Sequence, residues 1–259
     1  MKEFICNLCP RMCNVPRGKT GGGVCGMGAG VRIARAAPHY DEEPVISGTR
    51  GSGAVFFSGC SLKCRFCQNF DLSHNGYGAD ISVDRLRDIY FELIDQGVHN
   101  INLVNPTHYT EAILESLEGG LPVPVIWNSG GYERVETLKR LEGRVQVYVL
   151  DEDGIIRRGT IIRHLILPGC ADESIRIIDY IAEHYPGAWI SLMAQYLPFG
   201  DVQGVDELDR RLTQEEYDRV ANHLIDIGLE DGFVQELSSS DEVYIPKFDL
   251  TGVEVQRSN

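Results

Sequence analysis

The sequence predicts an α/β fold built on a parallel sheet. Three observations predict it. From residue 53 onward, short β-rich runs alternate with amphipathic helical patterns, the rhythm of repeated βα units. The runs are punctuated by helix caps and glycine stops. The 259 residues, 43% of them hydrophobic, suffice to bury one substantial core.

Residues 1–50 stand apart. They are rich in Cys, Gly and Arg and show little periodicity, which predicts an irregular cap organised by ligands rather than by a core. Cys6, Cys9, Cys13 and Cys25 lie there, with Gly21, Gly22 and Gly23 shortly before the last. Thiolates at these spacings suit a tetrahedral zinc site, an iron–sulfur cluster or free redox-active thiols, and the sequence leaves all three open. Residues 51–259 form the α/β body. Residues 54–58 read as a strand whose end delivers a loop with three more cysteines. Ser82 caps a helix over 83–96 that Gly97 closes, with Leu86, Ile89, Tyr90, Leu93 and Ile94 on one face. Ile101–Val104 is the next strand, followed by a helix over 110–117 and by Gly119 and Gly120. A strand over 123–127, a helix over 133–141 and a strand over 145–149 continue the repeat. So do a strand over 160–167, a helix over 173–184 and the strand Trp189–Met193. Thr213-Gln-Glu-Glu216 is a capping box opening a helix that runs to Gly228, and 233–235 is the last strand.

One junction breaks the rhythm. Only residues 150–159 separate the strands near Val149 and Thr160, fewer than the dozen or more that a parallel crossover takes. Either a βα element near 149–160 is shortened or lost, or the two strands pair as a hairpin around Asp153-Gly154.

A formal charge of −14, from 38 acidic against 24 basic residues, disfavours nucleic acid as a partner. No run of about 18 apolar residues is present to span a membrane, and Met-Lys-Glu-Phe-Ile-Cys has no apolar signal core. Eight cysteines in such a chain point to metal rather than disulfides, and to a reducing cytoplasm.

The chemistry concentrates in Cys60, Cys64 and Cys67, a Cys-x₃-Cys-x₂-Cys run with no fourth cysteine beside it. A cubane cluster has four irons to ligate, so three thiolates leave one iron open to a small molecule. Open coordination separates catalytic from structural metal sites. Phe66 adds an apolar platform. The alternative is zinc on these thiolates plus a histidine such as His74, although zinc loops usually pair their ligands as Cys-x₂-Cys halves.

Cys60-Ser-Leu-Lys-Cys64-Arg-Phe66-Cys67 resembles the hallmark of the radical S-adenosylmethionine (SAM) superfamily. Gly51-Ser-Gly-Ala-Val-Phe-Phe-Ser-Gly59 and Phe66-Cys67-Gln-Asn69 resemble the branch similar to pyruvate formate-lyase activating enzymes. Asn105-Pro-Thr-His-Tyr109, Asn128-Ser-Gly-Gly-Tyr132, Ile162-Arg-His-Leu-Ile-Leu-Pro-Gly169 and Tyr244-Ile-Pro-Lys-Phe-Asp249 extend the likeness almost end to end. The resemblance implies a partial (βα) barrel, a [4Fe–4S] cluster on the three cysteines, and SAM on the open iron. It implies reductive cleavage to a 5′-deoxyadenosyl radical, fed by a donor such as flavodoxin or ferredoxin, for hydrogen abstraction from a protein, peptide or small molecule. A glycyl radical enzyme is one such target. A second metal or cluster on Cys6, Cys9, Cys13 and Cys25 stays open.

The short junction departs from the family pattern and leads us to expect weaker cofactor retention than in relatives; equal SAM affinity beside a full-length relative would refute it. A second departure is Asn105-Pro106-Thr107-His108, standing where the family usually has a glycine-rich segment that receives the SAM amino group. Asn105 and Thr107 are therefore hydrogen-bonding candidates. Asn128 and Ser129 are candidates for the ribose or carboxylate, Arg163 for the carboxylate as a planar fork, and Phe66 for packing near the adenine. His164 alternates with Arg163 on its strand, so one of the two faces the site. An iron–sulfur electron carrier and a metal-stabilised binding protein, neither cleaving SAM, are the competing functions.

Overall fold

The computed structural model describes residues 3–18, 21–145, 159–229, 231–239 and 246–254. The chain divides into two units. One comprises Met1–Cys64, Asn69–Arg157 and Lys247–Asn259, the other Arg65–Gln68 and Arg158–Pro246.

The first unit opens with a two-stranded antiparallel ribbon, β1 (Phe4–Ile5) and β2 (Pro16–Arg17). There follow β3 (Val31–His39), α1 (Pro44–Ser47), β4 (Ser52–Phe57), α2 (Phe70–Ser73), β5 (Ala79–Ile81) and α3 (Val83–Asp95). Then come β6 (Ile101–Val104), α4 (Thr110–Ser116), β7 (Val125–Asn128) and α5 (Val135–Lys139). Five strands form one sheet in the order β5-β3-β4-β6-β7, in which β4, β6 and β7 run parallel and β3 is antiparallel to both its neighbours.

β3 corrects the expectation of irregular structure through residue 50. Arg32 and Arg35 break its apolar run in sequence, yet each is neutralised along the strand, Arg32 by Asp80 of β5 at 2.8 Å and Arg35 by Asp249 at 2.9 Å. Every residue of β4 is buried, as befits a strand covered on both faces. Val55 and Phe57 join the core beneath α3, while Ala54 and Phe56 pack with Leu72 on the opposite face. Leu86, Ile89, Tyr90 and Leu93 of α3 are each 2% exposed or less, worth on the order of 2 kcal/mol apiece in burial. Ser82 caps this helix as expected, its hydroxyl accepting from the Arg85 N–H. Beyond the stretch paired with β5, the edge of β3 is taken by the segment near residue 250. Leu250 N–H donates to Ala34 C=O at 3.0 Å and Ala36 N–H to Thr251 C=O at 2.8 Å.

The second unit is β8 (Ile161–Leu165), α6 (Ala171–His184), β9 (Trp189–Met193), α7 (Gln214–Asp226) and β10 (Gly232–Val234). Its strands are parallel in the order β10-β9-β8, a βαβαβ arrangement matching the sequence reading. Ile178 and Ile181 of α6, Val220 and Leu224 of α7, and Ile190 and Leu192 of β9 form its core. The capping box is present: Glu216 N–H donates to Thr213 Oγ1 at 3.2 Å, and Thr213 N–H donates to Glu216 Oε2 at 3.0 Å.

The described parallel strands thus lie in two sheets. The strand expected over 145–149, save Val145, and the short junction up to residue 158 fall outside the described residues, as do Tyr244 and Ile245. Among the described residues no helix is long and apolar enough to cross a membrane.

Candidate functional site

In the first unit, Phe56 of β4 pairs with Val104 of β6, and Val104 with Asn128 of β7. The three parallel strands therefore end at one edge, releasing Ser58-Gly59-Cys60, Asn105-Pro-Thr-His108 and Ser129-Gly130 side by side. The carboxyl edge of parallel strands is where α/β proteins gather ligand contacts.

Hydrogen bonds tie these loops together. Asn105 adopts a left-handed conformation, φ +59°. Its Nδ2 donates to Gly59 C=O at 2.6 Å and its backbone N–H to Asn128 C=O at 2.7 Å. His108 Nε2–H donates to Ser58 C=O at 2.7 Å, which leaves the buried Nδ1 as an acceptor with no partner among the described residues. Burial pulls the His108 pKa down to about 4; the Ser58 hydrogen bond opposes the shift and the Arg17 charge reinforces it. The imidazole is neutral. Cys60 Sγ accepts the Leu62 N–H at 3.4 Å. Thr107 Oγ1 donates to Glu133 Oε1 at 2.5 Å, and the Trp127 indole donates to the same oxygen at 3.1 Å. Ser129 Oγ accepts the Gly131 N–H at 3.2 Å.

The N-terminal cysteines border this edge. Cys6, Cys9, Cys13 and Cys25 line one cavity, partly open to solvent, with Arg11, Arg17, Ser61, Thr107 and His108. Arg17, 1% exposed, donates from one terminal nitrogen to Cys25 Sγ at 2.9 Å and from the other to His108 C=O at 2.8 Å. Burial pushes the Cys9 thiol pKa up and the neighbouring Cys6, Cys13 and Cys25 add to the shift, against a backbone hydrogen bond at Arg11. Among the described residues, no three His, Cys, Asp or Glu side chains converge as tightly as a single metal ion requires. His74, the expected alternative zinc ligand, stacks on Phe70 at 4.0 Å, with Nδ1 2.8 Å from Ser73 Oγ.

Cys60 and Cys64 belong to the first unit, and Cys67 to the second with Arg65, Phe66 and Gln68. Within the second unit Phe66 packs on the Tyr196 ring at 6.1 Å, Arg65 Nε donates to Asp201 C=O at 2.9 Å, and Gln68 donates to Gln195 C=O at 3.1 Å. Tyr196 is 1% exposed and its hydroxyl donates to Leu208 C=O. Arg163 and His164 stand on β8 opposite Ser191 and Leu192, and burial lowers the His164 pKa. The structure thus brings together Asn105, Thr107, Asn128 and Ser129 with Cys60 in one unit, and places Phe66 and Arg163 in the other. Sequence reasoning missed Arg17 and Glu133. Arg17 stands in an unremarkable Pro-Arg-Gly, and only its burial singles it out. Glu133 carried a weak signal, lying just beyond Asn128-Ser-Gly-Gly-Tyr132.

No family model matches the chain. A partial similarity links it to Streptococcus suis SuiB, solved bound to S-adenosylmethionine, with a TM-score of 0.44 and 14% identity. That similarity covers 71% of this chain and 50% of the SuiB chain, so the chain spans half the length of that structure. At 31% identity over 251 residues, covering 83% of this chain and 72% of its relative, the chain belongs to the family of the uncharacterized protein MJ0674 of Methanocaldococcus jannaschii.

Proposed function

We propose that the chain is a radical SAM enzyme, holding a [4Fe–4S] cluster on Cys60, Cys64 and Cys67 and cleaving S-adenosylmethionine reductively. The observation that carries this reading is the Cys60 loop leaving the carboxyl edge of β4 beside the ends of β6 and β7. The donor set fits a cubane with one open iron, and Cys60 Sγ already receives a backbone N–H of the kind that tunes such clusters. When bound, cluster and SAM supply a one-electron reductive cleavage that gives methionine and a 5′-deoxyadenosyl radical.

The chain's own residues bind and orient. Thr107, donating its proton to Glu133, keeps acceptor lone pairs for the SAM ammonium, and the Glu133 carboxylate adds the matching charge. Asn128 and Ser129 stand at the strand end for the ribose or carboxylate, and Asn105 fixes the root of the cysteine loop through Gly59. Arg163 serves the SAM carboxylate and Phe66 the adenine. The same reading includes a partial (βα) barrel and an activating-enzyme-like oxidoreductase role, with flavodoxin or ferredoxin as donor and a protein, peptide or small molecule as hydrogen source.

The test is anaerobic reconstitution with iron and sulfide, addition of SAM and a strong one-electron reductant, and quantification of 5′-deoxyadenosine. We expect product that disappears in Cys64→Ala. A stable cluster on these cysteines that yields no product would replace this reading with an electron carrier.

A further inference from the structure

The cavity lined by the N-terminal cysteines asks for an occupant of its own. Cys6, Cys9 and Cys13 lie on the loop joining β1 to β2. That loop is closed by Cys6 N–H to Val15 C=O at 2.9 Å and Asn14 N–H to Cys6 C=O at 3.0 Å. It is turned by left-handed Met12 (φ +45°) and Asn14 (φ +51°). Cys25 arrives from a separate turn. There Gly23, at φ +69°, passes so close to Cys13 that a Cβ would sit 2.9 Å from its sulfur. Three thiolates from one loop and a fourth from a distance is the ligand arrangement of ferredoxin-type clusters. Tetrahedral zinc would hold its four sulfurs roughly 4 Å apart, given bonds of about 2.3 Å. These thiols line one cavity partly open to solvent, and among the described residues no three ligand side chains converge to single-ion distances.

Charge points the same way. Arg17 is buried, and among the described residues no carboxylate pairs with it and its one anion-capable contact is Cys25 Sγ. A guanidinium buried without an anion is strongly unfavourable, so this one calls for a negative group in the cavity it lines. Its Nε–H is also buried without a partner among the described residues, a donor left for cluster sulfur.

We infer that Cys6, Cys9, Cys13 and Cys25 ligate a [4Fe–4S] cluster of their own, with Arg17 as its buried counter-charge and hydrogen-bond donor. The cluster adjoins the Cys60 loop. Ser61 lines the same cavity, and its carbonyl accepts from Arg11 Nε at 3.1 Å. The inference does not depend on SAM cleavage.

The test counts metal and sulfide in anaerobically purified full-length protein. The chains compared are wild type, Cys9→Ala/Cys13→Ala, and Cys60→Ala/Cys64→Ala/Cys67→Ala. We expect the triple variant to retain about four irons and four sulfides per chain with a [4Fe–4S] Mössbauer signature. We expect the double variant to lose about that amount relative to wild type. Zinc in place of that iron overturns the inference, as does iron content unchanged by the double substitution. Should the triple variant not fold, wild type against double variant decides. Arg17→Met, which removes the nearby positive charge, is expected to lower the midpoint potential of the cluster retained in the triple variant; in wild type, the potential is followed for the signal absent from the double variant. An unchanged potential removes Arg17 from the assignment. Loss of 5′-deoxyadenosine formation with this cluster intact would count against SAM cleavage alone.

Discussion

His108→Gln tests how the root of the cysteine loop is held. The native imidazole is buried, donates Nε2–H to Ser58 C=O, and has its pKa drawn to about 4. In the unfolded chain a histidine titrates near 6.5. The folded value lies below the unfolded one, so protons bind the unfolded chain more tightly. The stability this neutral histidine confers is complete above about pH 6.5 and is lost as pH falls toward 4. Across that window the loss is about 3 kcal/mol, and between pH 7 and pH 5 about 2 kcal/mol. Glutamine offers an amide near the Nε2 position and does not titrate. Urea unfolding of metal-free, reduced protein, followed by circular dichroism at pH 7, 6 and 5, gives the free energies for both chains. Every other residue is common to both chains, so the difference isolates residue 108. Wild type should lose about 2 kcal/mol more than His108→Gln between pH 7 and pH 5. Equal losses would refute a buried neutral imidazole.

Asn105→Ala removes the bond to Gly59 and leaves a Cβ in a left-handed backbone, whereas Asn105→Gly removes only the bond. Alanine should therefore be the less stable by about 1 kcal/mol in thermal or urea unfolding, and equality would show that the backbone relaxes. Gly252, at φ +71°, lies with its would-be Cβ against the Ala36 carbonyl oxygen. Gly252→Ala should cost about 2 kcal/mol or more, and hydrogen exchange at the Ala36 and Leu250 amides should rise while that of α7 does not. Thr213→Ala, which breaks the capping box of α7, should destabilise the second unit by about 1 kcal/mol, read as faster exchange in α7 with α3 unaffected.

Regular elements were legible where local chemistry and packing agree. Ser82, Gly97 and the Thr213–Glu216 box marked helix ends because caps act over a few residues. The 189–193 strand stood out because its own residues, Ser191 apart, are apolar. β3 stayed hidden because its two arginines are answered by Asp80 and Asp249, partners far away in sequence. At the site, the cysteine spacing could be read directly, since residue type and spacing belong to the chain itself and not to its packing. The convergence of Asn105 and Asn128 on the Gly59 edge followed once β4, β6 and β7 were read as parallel strands. Arg17 could not be found this way: burial of a charge is decided by tertiary packing, and nothing beside it in sequence announces it.

The strip at residues 247–254 has a consequence for synthesis. Arg35 on β3 meets Asp249, 214 positions later, and the adjoining backbone bonds span a similar distance. At typical translation speeds roughly ten to forty seconds pass between the emergence of the two partners. Throughout that interval the nascent β3 edge at Ala34 and Ala36 presents open amides and carbonyls, the template on which strangers pair. The second unit, whose strands and helices all lie between residues 158 and 246, can finish folding while the first still waits. On the ribosome, the first unit, which carries Cys60 and Cys64 and the N-terminal cysteines, is therefore sealed after the second.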